Sequence, residues 1–125
     1  MPVFLHTRIR VSDLERTIVW YRELGFDCVR RIPHSPQGNQ LAFLQIPGSA
    51  HVLELCFQPG YKLVLPEDLM HTAVGYPDLM AKCAELEQKG YPIWPGDWRQ
   101  QFPGGRRMAF VTDPDGYEVE LLEEK

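Results

Sequence analysis

The sequence repeats itself at about half its length, and this repeat restricts the fold more than any other feature. The repeated residues, first unit then second, are His6 and His71, Asp13 and Asp78, Gly25 and Gly90, Phe43 and Phe110, and Glu54 and Glu120. Counted from the histidine, each spacing agrees between the two units to within two residues. Self-similarity of this kind indicates two copies of one supersecondary unit.

Each unit is predicted to have the element order β-α-β-β-β. Alternation over 4–11 is typical of a half-buried strand. Ser12 is the expected N-cap of the following helix, with Glu15 completing a capping box, and Gly25 is expected to end that helix. The predicted strands are 4–11, 27–31, 40–45, 52–57, 71–75, 92–94, 107–112 and 118–122, and the predicted helices are 13–24 and 79–89. The expected organisation is α+β, with a first βαβββ module at 1–58, a linker at 59–69 and a second module at 70–125.

Composition narrows the range of functions. The chain has 125 residues and a formal net charge of −4, which argues against binding a phosphate backbone. No apolar run approaches the ~20 residues that a membrane span needs. The 3 cysteines show no paired spacing, which favours a reducing compartment. We therefore expect a cytoplasmic protein, with neither nucleic acid nor membrane as a partner.

Four repeated side chains are candidate metal ligands. His6 lies on the polar side of its predicted strand, and the two glutamates lie on the mixed faces of theirs. If two such sheets curve around a shared cleft, one histidine and one glutamate from each unit meet there. The predicted ligands are His6, Glu54, His71 and Glu120. Imidazole and carboxylate without thiolate suit Zn²⁺, Ni²⁺, Co²⁺, Mn²⁺ or Fe²⁺, with coordination positions open to a substrate oxygen.

Each of these residues also has a simpler interpretation on its own. A lone histidine on a strand is more often a surface or hydrogen-bonded residue than a ligand, and a glutamate at a strand end is usually solvated. The matching positions in both units favour the metal hypothesis. Glu118 is a competing carboxylate, but it falls outside the repeat register and is interpreted as a surface or supporting residue.

Several motifs resemble the vicinal oxygen chelate superfamily and, within it, the glyoxalase I (lactoylglutathione lyase) family. They are LHTRIRV at 5–11, LEL at 53–55, MHTAV at 70–74 and AFVTDPDGYEVEL at 109–121. The resemblance spans nearly the whole chain and implies the glyoxalase/bleomycin-resistance/dioxygenase fold, a curved sheet around a metal cleft. It also implies a homodimer, with the site lying either within one chain or between two.

The activity implied by the resemblance is an isomerisation. The hemithioacetal of methylglyoxal and glutathione would be converted through an enediolate to S-lactoylglutathione. Glu120 would be the main base, and Glu54 its partner carboxylate. The His-Glu-His-Glu set is similar to that of the nickel- or cobalt-preferring bacterial enzymes, so Ni or Co is the favoured cofactor and Zn is a possible one.

The resemblance also implies substrate-binding residues. Arg10 matches a family position that contacts a carboxylate of the thiol. Gln58 stands where the family usually has Asn. The family usually carries a basic residue just before a pair of glycines; here Arg106 and Arg107 are the nearest basic residues to that pair. These four residues are the expected thiol-binding set.

Another metal enzyme of the same fold is one alternative. An Fe²⁺ dioxygenase would use His6, His71 and Glu120 as a facial triad, although Glu54 would fill a position that O₂ or substrate needs. An epimerase acting beside a thioester carbonyl uses the same proton abstraction, and it would usually show Gln in place of Glu54.

A metal-free sequestering protein is the alternative from another class. Trp94, Trp98 and Phe102 could line an aromatic groove for a flat ligand. The simpler interpretation is that these rings pack around a proline-rich loop. Such a protein has no use for four convergent ligands, so metal binding separates the two hypotheses.

Overall fold

The computed structural model describes residues 1–100 and 107–124. The chain divides into two compact units, Met1–Val64 and Leu65–Lys125, and this division falls within the segment 59–69. Unit 1 contains β1 (His6–Arg10), α1 (Leu14–Arg22), β2 (Asp27–Ile32), β3 (Gln40–Gln45) and β4 (Val52–Phe57); unit 2 contains β5 (His71–Tyr76), α2 (Leu79–Gln88), β6 (Met108–Thr112) and β7 (Glu118–Glu123). The predicted α+β class is confirmed. Neither helix in these described ranges is long and apolar enough to cross a membrane.

Unit 1 is a four-stranded sheet with one helix packed against it. The strand order is β1-β4-β3-β2, with β1 parallel to β4 and the other neighbours antiparallel. The apolar stripe of α1, which includes Ile18 and Tyr21, is buried together with Ile9 and Leu55 of the sheet. The parallel pairing joins the first strand of the unit to its last, so residues far apart in sequence become neighbours.

Unit 2 repeats this plan with three strands in the order β5-β7-β6, and β5 is parallel to β7. The strand predicted at 92–94 is wrong. Trp94 instead forms a single antiparallel bridge with Phe110. Pro92 and Pro95 lie close by on either side of Trp94, and proline has no N–H to donate to a ladder, so the pairing cannot extend.

Both helices begin at an aspartate. The prediction that Ser12 caps α1 is wrong, because Asp13 is the N-cap and accepts a hydrogen bond from the Arg16 N–H at 3.0 Å. Asp78 caps α2 in the same way, through the Ala81 N–H at 3.0 Å. The repeat contained this signal, since aspartate occurs at this position in both units whereas serine occurs in only one.

Candidate metal and substrate site

In unit 2 a histidine and a glutamate face each other across the parallel strands. His71 is the first residue of β5, and Glu120 lies in the middle of β7. The distance from His71 Nε2 to Glu120 Oε1 is 3.5 Å. The Glu120 side chain retains 19% exposure, so its carboxylate is shielded but still reachable. Unit 2 therefore brings together two of the predicted ligands.

Unit 1 brings together the other two in the same arrangement. His6 is the first residue of β1, Glu54 lies in β4, and the distance from His6 Nε2 to Glu54 Oε1 is 3.9 Å. Glu54 is more deeply buried than Glu120, with a side chain only 4% exposed. A carboxylate buried to this degree needs a charged or hydrogen-bonding partner.

That partner is Arg8, which was not among the predicted site residues and follows His6 by two positions in β1. Arg8 lies beside Glu54 in the register of β1 and β4, and its Nε donates to Glu54 Oε2. This hydrogen bond raises the pKa of Arg8 despite an opposing effect of burial. One oxygen of Glu54 is thus bound by a guanidinium, while the other is directed towards His6.

Each pair is accompanied by a phenylalanine. The Phe43 ring lies edge-on to His6 with 6.3 Å between ring centroids, and Phe110 has the same relation to His71 at 5.8 Å. Each phenylalanine is also the cross-strand neighbour of the glutamate in its unit. In the sequence, the only sign of this shared position beside the histidine and glutamate was the similar spacing of Phe43 and Phe110 within the two repeats.

The donor set suits a divalent metal. Two ligands bound side by side to a zinc-like ion at about 2.1 Å lie about 3.0–3.4 Å apart. The separation of 3.5 Å in unit 2 is close to that range, whereas 3.9 Å in unit 1 would have to shorten. Within the described ranges, no group of three or more His, Cys, Asp or Glu side chains is arranged to hold a metal ion. Among these residues each unit therefore brings together one pair of the predicted ligands, rather than a group of three or four.

Two predicted substrate residues lie together in unit 1. Arg10 Nη1 donates to Gln58 Oε1 at 3.4 Å, and the Arg10 guanidinium lies 4.3 Å from the centre of the Tyr61 ring. Tyr61 is an additional residue that the sequence did not suggest. The cation held between an amide and an aromatic face is suited to binding a carboxylate.

Arg107, another predicted substrate residue, does not lie in such a setting. Arg107 Nη1 donates to the Met80 sulfur at 2.9 Å and to the Arg99 carbonyl at 3.2 Å, so it lies against α2. Arg106 lies outside the described residues. Their predicted role in binding the thiol stays a prediction.

Unit 2 also has a cavity of about 500 Å³. It is lined by Glu67, Asp68, Trp94, Phe110, Thr112 and Glu118. Phe110 connects this cavity to His71. Trp98 does not contribute to an aromatic groove here, because it is buried and donates its indole N–H to Glu87 of α2 at 3.0 Å. Phe102, the third ring of the predicted groove, lies outside the described residues.

The fold agrees with comparisons to known proteins. The family model described as the Glyoxalase/Bleomycin resistance protein/Dioxygenase superfamily matches residues 3–121. The chain therefore belongs to this superfamily, whose fold the sequence motifs implied.

The relatives narrow this class further. A lactoylglutathione lyase of Haemophilus influenzae is 34% identical over 128 residues, covering 97% of this chain and 92% of the relative. A lactoylglutathione lyase of Escherichia coli O157:H7 gives the same identity and coverage. The solved structure of a trypanothione-dependent glyoxalase I from Leishmania major has a TM-score of 0.80 and 35% identity, covering 99% of this chain and 88% of that one. The chain is a glyoxalase I-like member of the superfamily.

Proposed function

We propose that the protein catalyses the metal-dependent isomerisation of the methylglyoxal–glutathione hemithioacetal to S-lactoylglutathione through an enediolate. The observation that carries the proposal is the His–Glu pair found at the same place in both units. The relatives named lactoylglutathione lyase support the choice of reaction. The working unit in this proposal is a cytoplasmic homodimer.

One divalent metal, Ni²⁺ or Co²⁺ by preference and Zn²⁺ as an alternative, would be held by His6, Glu54, His71 and Glu120. When bound, it would supply a Lewis acid that stabilises the negative charge developing on the substrate oxygens. Histidine and carboxylate are suitable donors for these ions, and no thiolate belongs to the set.

Glu120 is the better placed of the two carboxylates to move a proton. Its side chain is partly exposed, whereas that of Glu54 is nearly buried and hydrogen-bonded to Arg8. In the proposed reaction Glu120 takes the proton from the carbon that bears sulfur and returns it to the neighbouring carbon. Because general bases must approach the proton they abstract, a carboxylate with freedom to shift suits this role.

The thiol portion would be held in unit 1. Arg10 presents a guanidinium beside Gln58, and the pair can bind a carboxylate through charge-assisted hydrogen bonds. Tyr61 restricts the guanidinium from one side, which reduces the conformational entropy lost on binding. In this proposal Arg10 and Gln58 orient the substrate, and Glu120 performs the proton transfer.

The test is to strip the purified protein of metal and reload it separately with Ni²⁺, Co²⁺, Zn²⁺ and Mn²⁺. Each form is then assayed for thioester formation from methylglyoxal and glutathione. We expect metal-dependent turnover that falls by at least about 100-fold in Glu120→Gln, as is common when a general base is removed. Glu123→Gln, an exposed carboxylate on the same strand, is the matched control and should retain turnover.

The remaining outcomes separate the alternatives. Tight metal binding without turnover would contradict glutathione as the thiol and direct the assay to other thiols and to epimerase substrates. Failure to retain any metal would contradict the ligand assignment and favour a sequestering protein.

A further inference from the structure

The two His–Glu pairs occupy equivalent positions, yet one neighbouring residue differs between them. In unit 1 the residue paired with Glu54 across the parallel strands is Arg8. In unit 2 the residue paired with Glu120 is Ala73. Arg8 follows His6 by two residues, and Ala73 follows His71 by two residues. A guanidinium therefore stands beside one carboxylate and a methyl group beside the other.

The contact with Arg8 is specific to one oxygen of Glu54. Arg8 Nε donates to Oε2, while Oε1 is the atom nearest to His6 Nε2. Glu54 is nearly buried, whereas Arg8 keeps 41% of its side chain exposed. The guanidinium is partly hydrated, whereas the carboxylate is nearly buried and depends on its neighbours for charge compensation.

We propose that Arg8 is a positioning residue that makes the two carboxylates of the site unequal. It restrains Glu54 through Oε2 and opposes the binding of a divalent cation to that carboxylate. Glu120 faces Ala73 across the strands instead of a guanidinium, and in this proposal it is the carboxylate that shifts. This inference rests on the proposed metal-dependent function. It adds that Arg8 sets both the mobility of Glu54 and the affinity of the site for the metal.

The physical basis is competition between two cations for one anion. A guanidinium and a divalent metal a few ångströms apart repel each other, and even at the dielectric constant of water the energy corresponds to about a tenfold change in affinity. Hydrogen bonding by the guanidinium also occupies lone pairs on the carboxylate. Both effects have the same sign, so removing Arg8 should strengthen metal binding.

The equivalence of the two units allows the experiment to be run in both directions. Arg8→Met removes the cation from unit 1, and Ala73→Arg adds one at the equivalent position of unit 2, where Ala73 is exposed. Affinity for Ni²⁺ alone is measured by titration calorimetry on the metal-free protein. We expect binding about tenfold tighter in Arg8→Met and about tenfold weaker in Ala73→Arg.

The matched control is Arg31→Met. Arg31 forms an ion pair of the same type with Glu15, outside both His–Glu pairs, so its removal should leave nickel affinity unchanged. A second variant, Arg8→Lys, keeps the charge and should keep the wild-type affinity to within about threefold. A purely structural defect would weaken metal binding, so an increase in affinity identifies the proposed effect.

Thermal unfolding provides an independent readout. Arg8→Met leaves Glu54 without its counter-ion, so the metal-free variant should melt below wild type. Saturating Ni²⁺ should then raise the melting temperature of the variant by more than it raises that of wild type.

The outcomes separate this inference from the proposed function. If wild type binds Ni²⁺ and Arg8→Met binds equally or more weakly, the role of Arg8 is refuted while the metal site stands. Unchanged nickel affinity in Ala73→Arg would also refute it, because adding a cation beside Glu120 must weaken binding if removing one beside Glu54 strengthens it. If neither wild type nor any variant binds metal, the proposed function fails and this inference fails with it.

Discussion

At the scale of single residues, Asp113 shows how one buried carboxylate can set the geometry of a whole turn. It lies between β6 and β7 and is 4% exposed. Its Oδ1 accepts backbone N–H hydrogen bonds from Asp115, Gly116 and Tyr117 at 2.9, 3.0 and 2.9 Å. The turn in this way fixes where β7 begins, and β7 carries Glu120.

Replacing Asp113 should destabilise the protein measurably. Asp113→Ala leaves three backbone donors without this acceptor, and we expect a loss of about 3 kcal/mol in the free energy of unfolding. Asp113→Asn keeps an acceptor oxygen and should lose about half as much. Denaturant titration of both variants measures the difference, and equal losses in the two would contradict the hydrogen-bonding explanation.

The residues of the site differ in how far sequence could reveal them. The repeat singled out His6, Glu54, His71 and Glu120, and each unit does bring its own pair together. Their role as metal ligands stays a prediction. Arg8 was missed because its contact with Glu54 depends on the register between two strands that are distant in sequence. Nothing in the local sequence around Arg8 indicates that register.

At the scale of elements, the aspartate N-caps offer a direct comparison. Asp13→Ala removes the acceptor for the Arg16 N–H and should cost about 1 kcal/mol. Asp78→Ala should cost a similar amount at α2. Ser12→Ala is the matched control, because Ser12 is not the cap, and we expect a loss of only a few tenths of a kcal/mol. A larger loss for Ser12→Ala than for Asp13→Ala in denaturant titrations would contradict the observed cap.

A second prediction for an element concerns the segment that follows α2. Glu87 of α2 accepts hydrogen bonds from Arg99 and from the Trp98 indole, each at 3.0 Å, and the bond from Arg99 is the main reason that the pKa of Glu87 is lowered. Because folding lowers the pKa of Glu87, the ionised carboxylate stabilises the folded protein at pH values above the ordinary carboxyl pKa. This stabilisation is lost as the pH falls through the lowered pKa of Glu87 in the folded protein.

We therefore expect Trp98 fluorescence to stay constant as pH falls from neutral and to change only below the ordinary carboxyl pKa of 4.5. The measurement is made in a Trp94→Phe background, because the emission of the exposed Trp94 indole would otherwise overlap with that of Trp98. Glu87→Gln cannot titrate and should lack this transition. A transition that persists in Glu87→Gln would assign it to another group.

The strands show why element prediction worked in most places and failed in one. The bounds 40–45 and 52–57 were predicted correctly, because apolar residues there are confined between clear turn sequences. The segment 92–94 has strand-like residues, but Pro92 and the adjoining Pro95 limit it to the single bridge at Trp94. The lack of backbone N–H donors at the prolines, rather than the side-chain pattern, prevents a longer strand there.

At the scale of the whole molecule, each unit contributes half of the proposed ligand set. If a His6–Glu54 pair and a His71–Glu120 pair share one metal, His6→Ala and His71→Ala should each lower nickel affinity by at least about 100-fold. Equilibrium dialysis with elemental analysis should then give one Ni²⁺ per chain in wild type. His51→Ala, which changes an exposed histidine outside both pairs, is the control.

Independent sites would give a different pattern. Two Ni²⁺ per chain in wild type, with one retained in each single variant, would contradict a shared metal. That result would also remove the reason for treating the His-Glu-His-Glu set as a single centre.

The parallel pairing of the first and last strands of each unit also bears on how the chain reaches its native state. In both units the histidine comes from the first strand and the glutamate from the last. These two groups therefore meet only when the long loop that contains the intervening helix and strand or strands has closed. Closing such long loops carries an entropic cost, and contacts between distant segments slow the search for the native topology. In a nascent or partly unfolded chain the histidines and glutamates would thus be far apart. Binding of the metal would then indicate that each unit has finished folding.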